Sequence, residues 1–527
     1  MHIDRVEIEG FRGIDRLAID LDVLTTIIGE HLAGKSSLLR AIARVLDPRE
    51  PEVPPAFSQA DFHHPHIDGA ERVTTLSITL GLRADEEAEA ELLPGLQDGG
   101  VSVRVLASRS EAGDPVTTVD VLDRAGVPRD DVEGTNVLAE LRRRHPAVIV
   151  GGPRPSIGKP DPQPAGGERL RSVLLGAAQP RAPLTWDEIG DVREDLLAAG
   201  GRLAEQLGPA PDRPRSVRAM TDTPHPLVTD LGSALAEGAG AHRRIAALWL
   251  LVSILDAMPA EGLGEQAEPI LLFDDIEANL HPTWLAALCA VAFNLPFQLV
   301  VATHSPQVLA WVPLSSLRRL VRGVGQVESR AVQTQRYSID ELRRLAFHVR
   351  LNRSGSLFAR CWVLVEGETE AWLVPEFALL VGVEFPVEGI RAIEFAQCGL
   401  TPLLKLADDL GIAWLLLADG DPAGKGYART AKGVQDADGS AEGVIVVLPD
   451  RDIEHYLFRN GYAGVIRQAA HIGGTRAAGR LIRGAVERVS KPGLALEILA
   501  AADERGPDGV PPVIRDVATT ALRLARG

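Results

Sequence analysis

Apolar and polar residues alternate in the first two patterned stretches of the chain, Val6-Glu-Ile-Glu and Leu17-Ala-Ile-Asp-Leu, and predict two half-buried strands. Leu24-Thr-Thr-Ile-Ile28 reads as a buried strand, and Ser36 to Leu46 returns apolar residues at helical spacing. Prolines between Pro48 and Pro55 close that unit. Period-two runs at Val73–Leu80, Val101–Leu106 and Val116–Leu122 predict a β-meander. Gly151 to Gly167, rich in Gly and Pro, reads as a loop, and helical patterns dominate from about 183 to 258. Two apolar runs, Ile270–Asp274 and Gln298–Thr303, predict strands of a parallel sheet. After a connecting stretch near 330–358, a second α/β unit has strands at Cys361–Val365, Arg391–Phe395, Ala413–Ala418 and Gly443–Val447, followed by a helical C-terminal region.

Composition narrows the class. A chain of 527 residues is long enough for two or more domains with real cores. It carries no run of 18 uncharged apolar residues, and its N-terminus lacks the apolar core of a signal peptide, so a cytoplasmic protein without a membrane span is expected. Cys289, Cys361 and Cys398 lie far apart, which fits buried free thiols rather than disulfides or a zinc site. A net charge of −17 argues against broad adhesion to nucleic acid but leaves room for a local basic surface. Short arginine clusters stand at 142–144, at 213 and 215, at 343, 344, 350 and 353, and at 476, 480 and 483. Lysine is scarce, so a lysine at a motif position stands out.

Gly29-Glu30-His-Leu-Ala-Gly34-Lys35-Ser36-Ser37 has the spacing of a P-loop between a strand and a helix. Glycines let backbone N–H groups turn toward phosphates, Lys35 neutralises their charge, and the Ser36 hydroxyl suits a Mg²⁺ ion beside ATP. Leu271-Leu-Phe-Asp274-Asp275 is an apolar strand ending in paired acids, with Asp274 suited to the Mg²⁺ shell and Asp275 to polarising the attacking water. His304, at the end of the next apolar run, suits a hydrogen bond to the γ-phosphate. With Leu280-His-Pro and Thr303-His-Ser-Pro, this half resembles the ABC-type ATPases of the structural-maintenance and recombination branch. The resemblance implies a homodimer that sandwiches nucleotide, with Glu237–Arg243 as the best match to the signature motif. Asp275 stands where the family's second acid is usually Glu, and His31 where its P-loop often has Asn; slow hydrolysis is expected.

The second site is acidic. Glu366 ends the apolar run Trp362-Val-Leu-Val, and Glu370 follows in the first turn of a helix. Asp419 and Asp421 close another apolar strand; if that strand persists to 421, both carboxylates face one side. Four such acids at one sheet edge repel each other unless cations lie among them, and oxygen-only donors suit Mg²⁺ or Mn²⁺. This half resembles the Toprim fold. The order of motifs along the chain resembles the overcoming-lysogenisation-defect (OLD) nuclease family, which implies a further acid at Glu454 and a phosphate-stabilising lysine at Lys491. Tyr427 and Tyr456 lack the setting of a topoisomerase nucleophile, and no primase zinc module is visible.

The expected fold is thus α/β: an ABC/SMC-type ATPase head over 1–182 and 259–335, an inserted helical region over 183–258, a connector over 336–358, and a Toprim domain over 359–527. The resemblance implies an ATP-hydrolysing, metal-dependent DNA endonuclease in phage defence or DNA repair, with room for an accessory protein from a neighbouring gene. The metals and catalytic groups would be held by Glu366, Glu370, Asp419, Asp421, Glu454 and Lys491. The competing expectation is a noncatalytic DNA-binding or signalling ATPase with the Toprim fold as scaffold.

Overall fold

The computed structural model describes residues 2–48, 53–64, 72–83, 101–109, 114–123, 125–151, 246, 247, 250, 268–278, 280–295, 297–323, 325–351, 353–438, 442–471 and 477–527. The chain divides into two compact units, Met1–Arg330 and Ala331–Gly527. Among the described residues no helix is long and apolar enough to cross a membrane.

An eleven-stranded mixed sheet organises the first unit, in the order β6-β5-β4-β1-β2-β11-β10-β3-β9-β8-β7. Its antiparallel flank comprises β1 (His2–Phe11), β2 (Ile14–Asp20), β4 (Thr75–Arg83), β5 (Val101–Ser108) and β6 (Val116–Leu122). The expected meander is this flank. The parallel half comprises β3 (Leu24–Gly29), β7 (Ala147–Gly151), β8 (Ile270–Asp274), β9 (Leu299–Ala302) and β10 (Leu317–Arg322), with β11 (Val327–Ala331) pairing parallel to β2. β3 and β9 are buried along their whole length, which is why they lack alternation. The helix Lys35–Leu46 buries Leu38, Leu39, Ile42 and Val45 in the core that the two flanks share. Buried Gln298 ties them together: its amide accepts from Ile3 N at 2.9 Å and donates to Ile3 O at 2.6 Å.

The second unit is built on four parallel strands in the order β13-β12-β14-β15. These are β12 (Cys361–Val365), β13 (Ile390–Glu394), β14 (Ala413–Ala418) and β15 (Gly443–Val447). Helices Glu368–Leu380, Leu400–Leu410 and Pro422–Asp438 alternate with them, and helices Ala463–Ala470, Ala478–Arg505 and Pro512–Arg526 complete the core. Because all four strands run the same way, Val365, Glu394, Leu417 and Val446 lie in one row at the carboxyl edge.

Two expectations change here. Residues 336–358, expected as a connector, form short helical turns inside the second unit. Tyr337 Oη donates to Asp409 Oδ2 at 2.7 Å, Arg336 Nη1 to Asp408 Oδ2 at 3.0 Å, and Trp362 Nε1 to Ser356 O at 2.8 Å. These bonds to partly or fully buried groups fix the segment to the body. β14 stops at Ala418, so Asp419 and Asp421 sit in a turn and not on one strand face. Of the region 183–258, only Ala246, Ala247 and Leu250 are described, helical and buried; the signature match Glu237–Arg243 and the Arg213/Arg215 cluster lie outside the described residues. All three cysteines are free and buried.

Candidate functional site

The turn from β3 into the helix Lys35–Leu46 wraps the Lys35 ammonium in backbone. Lys35 Nζ donates to the carbonyls of Gly29 and Glu30, each at 2.8 Å. Gly34 makes the wrap with φ +96, and a Cβ there would stand 2.9 Å from Ile14 Cγ1. Burial pushes Lys35 down to about 8, against the pull of Asp275, Asp274, Glu277 and Glu30. Ser36 Oγ donates to Asp274 Oδ1 at 2.8 Å, so the P-loop and the end of β8 meet where a hard cation would have both ligands. Ser37 Oγ lies 3.4 Å from where a Cβ on Gly13 would stand, toward the β1–β2 turn.

Asp275 takes up a left-handed backbone, φ +55, at the start of the turn after β8. Its Oδ1 lies 3.9 Å from His304 Nε2. His304 also stacks on His31, with ring centroids 4.3 Å apart and planes at 25°. Burial, then Lys35 and His31, lower the pKa of His304 and favour a neutral ring. Glu277 opens the Glu277–Pro282 run of the sequence but was given no role there. Its carboxylate accepts from Thr303 Oγ1 at 2.8 Å and from His304 N at 2.7 Å, and so holds the histidine turn on the β8 turn. The acid three residues after Asp274 in a Glu-x-x-x-His run was its only sequence signal.

In the second unit the carboxyl edge gathers acids from three strand ends. Glu366 follows β12, and Glu370 is buried in the first turn of the next helix. Asp419 and Asp421 follow β14, and Asp421 Oδ1 accepts from Gly424 N at 2.8 Å, starting the helix Pro422–Asp438. Gly420 N donates to Asp450 O at 3.0 Å, and a Cβ on Gly420 would stand 2.2 Å from that oxygen, so only glycine lets the turn lie against the segment after β15. That segment brings Asp452 and Glu454. Asp452, unassigned from the sequence, caps the helix Ile453–Leu457, accepting from His455 N at 2.8 Å with His455 Nδ1 at 2.6 Å.

Lys491 lies on the helix Ala478–Arg505, one residue past a break at Ser490, φ +68. Its Nζ pairs with Glu454 at 3.0 Å. Burial works against the ammonium, but Glu454, Glu370 and Asp452 hold its pKa above the ordinary lysine value. Burial pushes Asp419 up to about 8, helped by Glu370, Glu366, Asp452 and Glu454. Burial also raises Glu366, with Asp421 adding, and raises Glu370, with Glu454 and Glu366 adding. Tyr456 Oη accepts from Val513 N at 2.9 Å, and the Tyr427 ring packs edge-on against Phe395 at 4.9 Å; both contacts serve the packing.

Among the described residues, no group of three or more His, Cys, Asp or Glu side chains stands as a formed metal-binding set. The donors nonetheless suit a hard cation. All are carboxylate oxygens; Glu366 Oε2 is buried without a hydrogen-bond partner, and Glu454 Oε1 has only Lys491 beside it.

Residues 1–155 and 209–356 match the family described as "Protein of unknown function (DUF2813)", and residues 357–421 match the overcoming lysogenization defect protein-like TOPRIM domain. The uncharacterized protein YbjD of Escherichia coli (strain K12) is 33% identical over 564 residues, covering 100% of both chains. Among solved structures, the C-terminal region of the Burkholderia pseudomallei OLD protein is 22% identical, covers 32% of this chain and 98% of its own, and has a TM-score of 0.26. An Smc head domain bound to the C-terminal domain of ScpA derived from Pyrococcus furiosus is 13% identical, covers 65% of this chain and 99% of its own, and has a TM-score of 0.35. The first unit is a mixed α/β body that carries the P-loop turn, and residues 357–421 belong to an OLD-like Toprim domain. The chain belongs to the DUF2813 family, and carries an OLD-like Toprim domain after the DUF2813 region.

Proposed function

We propose that this protein is a divalent-metal-dependent DNA endonuclease whose cutting is governed by an ATP-binding and ATP-hydrolysing head. The observation that carries the reading is the acid edge: burial and the neighbouring carboxylates from three strand ends raise the Asp419 pKa, and the buried Glu366 Oε2 has no hydrogen-bond partner. Such an arrangement costs stability in the bare protein and has a physical use only where positive charge arrives. Mg²⁺ or Mn²⁺ bound there would supply Lewis acidity at a phosphodiester and an activated water. Glu366, Glu370, Asp419 and Asp421 would hold it, with Glu454 and Asp452 at the rim. Lys491, kept protonated by its acid neighbours, would face charge developing on the scissile phosphate.

In the head, Gly29, Glu30, Gly34 and Lys35 would cradle the ATP phosphates, with Ser37 beside them, and Ser36 and Asp274 would share its Mg²⁺. Asp275 and the neutral His304 would orient water and γ-phosphate. Homodimerisation through the head, a cytoplasmic setting, and a role in phage defence or DNA repair belong to the same proposal.

The test is incubation of supercoiled plasmid with the protein and Mg²⁺, Mn²⁺ or Ca²⁺, beside Asp419→Ala. Metal-dependent nicking or linearisation that Asp419→Ala abolishes while ATP turnover persists is the expected result. Cleavage at the wild-type rate by that variant would remove the acid edge from the mechanism. No cleavage under any metal, with intact ATP turnover, would favour the scaffold reading.

A further inference from the structure

We propose that the segment 339–353 is a docking rim that holds the phosphate backbone of duplex DNA beside the acid edge; the inference rests on the nuclease reading above. In a chain of net charge −17, the segment 339–353 runs the other way, with Arg343, Arg344, Arg350 and Arg353 against Asp340 and Glu341. An acid cluster repels a polyanion, so DNA reaches it only where neighbouring cations offset that repulsion. Lys491 alone is a single charge.

The geometry puts this cationic segment at the same edge. Arg353 Nη1 donates to Glu394 O at 3.2 Å, and its Nη2 lies 3.2 Å from Glu394 Oε2. Glu394 ends β13 opposite Val365, and Phe395 N donates to Val365 O, immediately before Glu366. Arg344 Nη1 comes 3.9 Å from where a Cβ on Gly399 would stand, just past the same strand end. Arg353 and Arg344 therefore stand at the edge one strand over from Glu366, and neighbouring strands lie only about 4.8 Å apart. Successive phosphates of one backbone can then meet the acids and the rim together.

Arg343, Arg344 and Phe347 are exposed. Arg344 pairs with Asp340 across one helical turn in full solvent, an arrangement worth little that a phosphate can replace. Arg526 gives the contrast. It pairs with Glu388 ahead of β13, at the opposite edge of the sheet.

The experiment measures binding of the full-length protein to a short fluorescent duplex in Ca²⁺ by anisotropy, across a salt series. Arg343→Ala with Arg344→Ala is expected to weaken binding about tenfold and to lower the slope of log Kd against log salt by about 2, one for each lost phosphate contact. Lysine at both positions should restore the slope, which also shows that the segment still folds. Arg526→Glu should change neither quantity. A double-alanine variant within twofold of wild type, with the slope unchanged, overturns the rim and leaves the nuclease reading standing. A wild-type protein that neither binds nor cuts DNA overturns both.

Discussion

Ser36 Oγ and Asp274 Oδ1 are 2.8 Å apart although 238 positions separate them in the chain. That contact joins the helix after the P-loop to the end of β8 and is the point at which the head becomes one site. Each partner should matter to Mg·ATP and not to bare nucleotide. Ser36→Ala or Asp274→Asn is expected to weaken ATP binding about tenfold or more with Mg²⁺, and much less in EDTA, by titration calorimetry. Lys35→Ala should abolish triphosphate binding under both conditions. Wild-type affinity in Lys35→Ala would refute the phosphate cradle.

Asp275 and His304 sit side by side while Asp274 holds the helix, so the paired acids divide their work. Asp275→Asn should bind ATP with near wild-type affinity and lose turnover by roughly 100-fold or more, in line with loss of a proton-accepting group. Equal losses of affinity and rate would mean that Asp275 holds nucleotide instead.

Stability of the metal-free protein should fall as pH rises. Asp419 is pushed up to about 8, far above its ordinary 3.8. Between those values the folded form keeps a proton that the unfolded chain has released, so each step up in pH favours unfolding, and the trend ends above about 8. Asp419→Asn removes that liability and should raise neutral-pH stability by on the order of 1–2 kcal/mol, after discounting for partial solvent access. Thermal melts in EDTA across the range check it. A variant less stable than wild type at pH 7 would count against the raised pKa.

The Lys491 side chain is 58% exposed, whereas its partner Glu454 is buried. Lys491→Ala should therefore shift the melting temperature by only a few degrees while lowering plasmid cleavage about 100-fold, with partial recovery in Lys491→Arg. A large melting shift with unchanged cleavage would make the ion pair structural.

Homodimerisation is expected to depend on the head. Multi-angle light scattering with Mg·ATP and Asp275→Asn, which should hold the nucleotide uncleaved, should show twice the monomer mass. A strict monomer with and without nucleotide at micromolar concentration would contradict it.

Much of this architecture was legible locally. The edges of β12 and β14 follow from apolar runs bounded by Glu366 and Asp419, and the P-loop turn from glycine spacing. β10 was not legible. Its Leu-Arg-Arg-Leu-Val-Arg pattern resembles an exposed helix, and only pairing with β3, nearly 300 residues away, makes it a strand. Glu277 and Asp452 were opaque for the same reason, and the arginine cluster at 343, 344, 350 and 353, visible in the sequence, gave no sign of the edge beside which Arg353 stands. Each acquires its meaning from a partner on another strand end: Thr303 for Glu277, Asp419 for Asp452, and Glu394 for Arg353. Long-range register carries no local periodicity.

The left-handed turn at Asp275 constrains how this site can change. Aspartate visits φ near +55 more readily than glutamate does, because its short side chain can bond locally. A one-step exchange to the longer acid therefore lengthens the reach toward water and disfavours the backbone at once, at about 1 kcal/mol or more. Asp275→Glu alone is a poor route to faster hydrolysis. A longer acid at 275 has to come with a re-formed turn, the one that Glu277 ties to Thr303 and His304, so position 275 and the histidine turn can change only together.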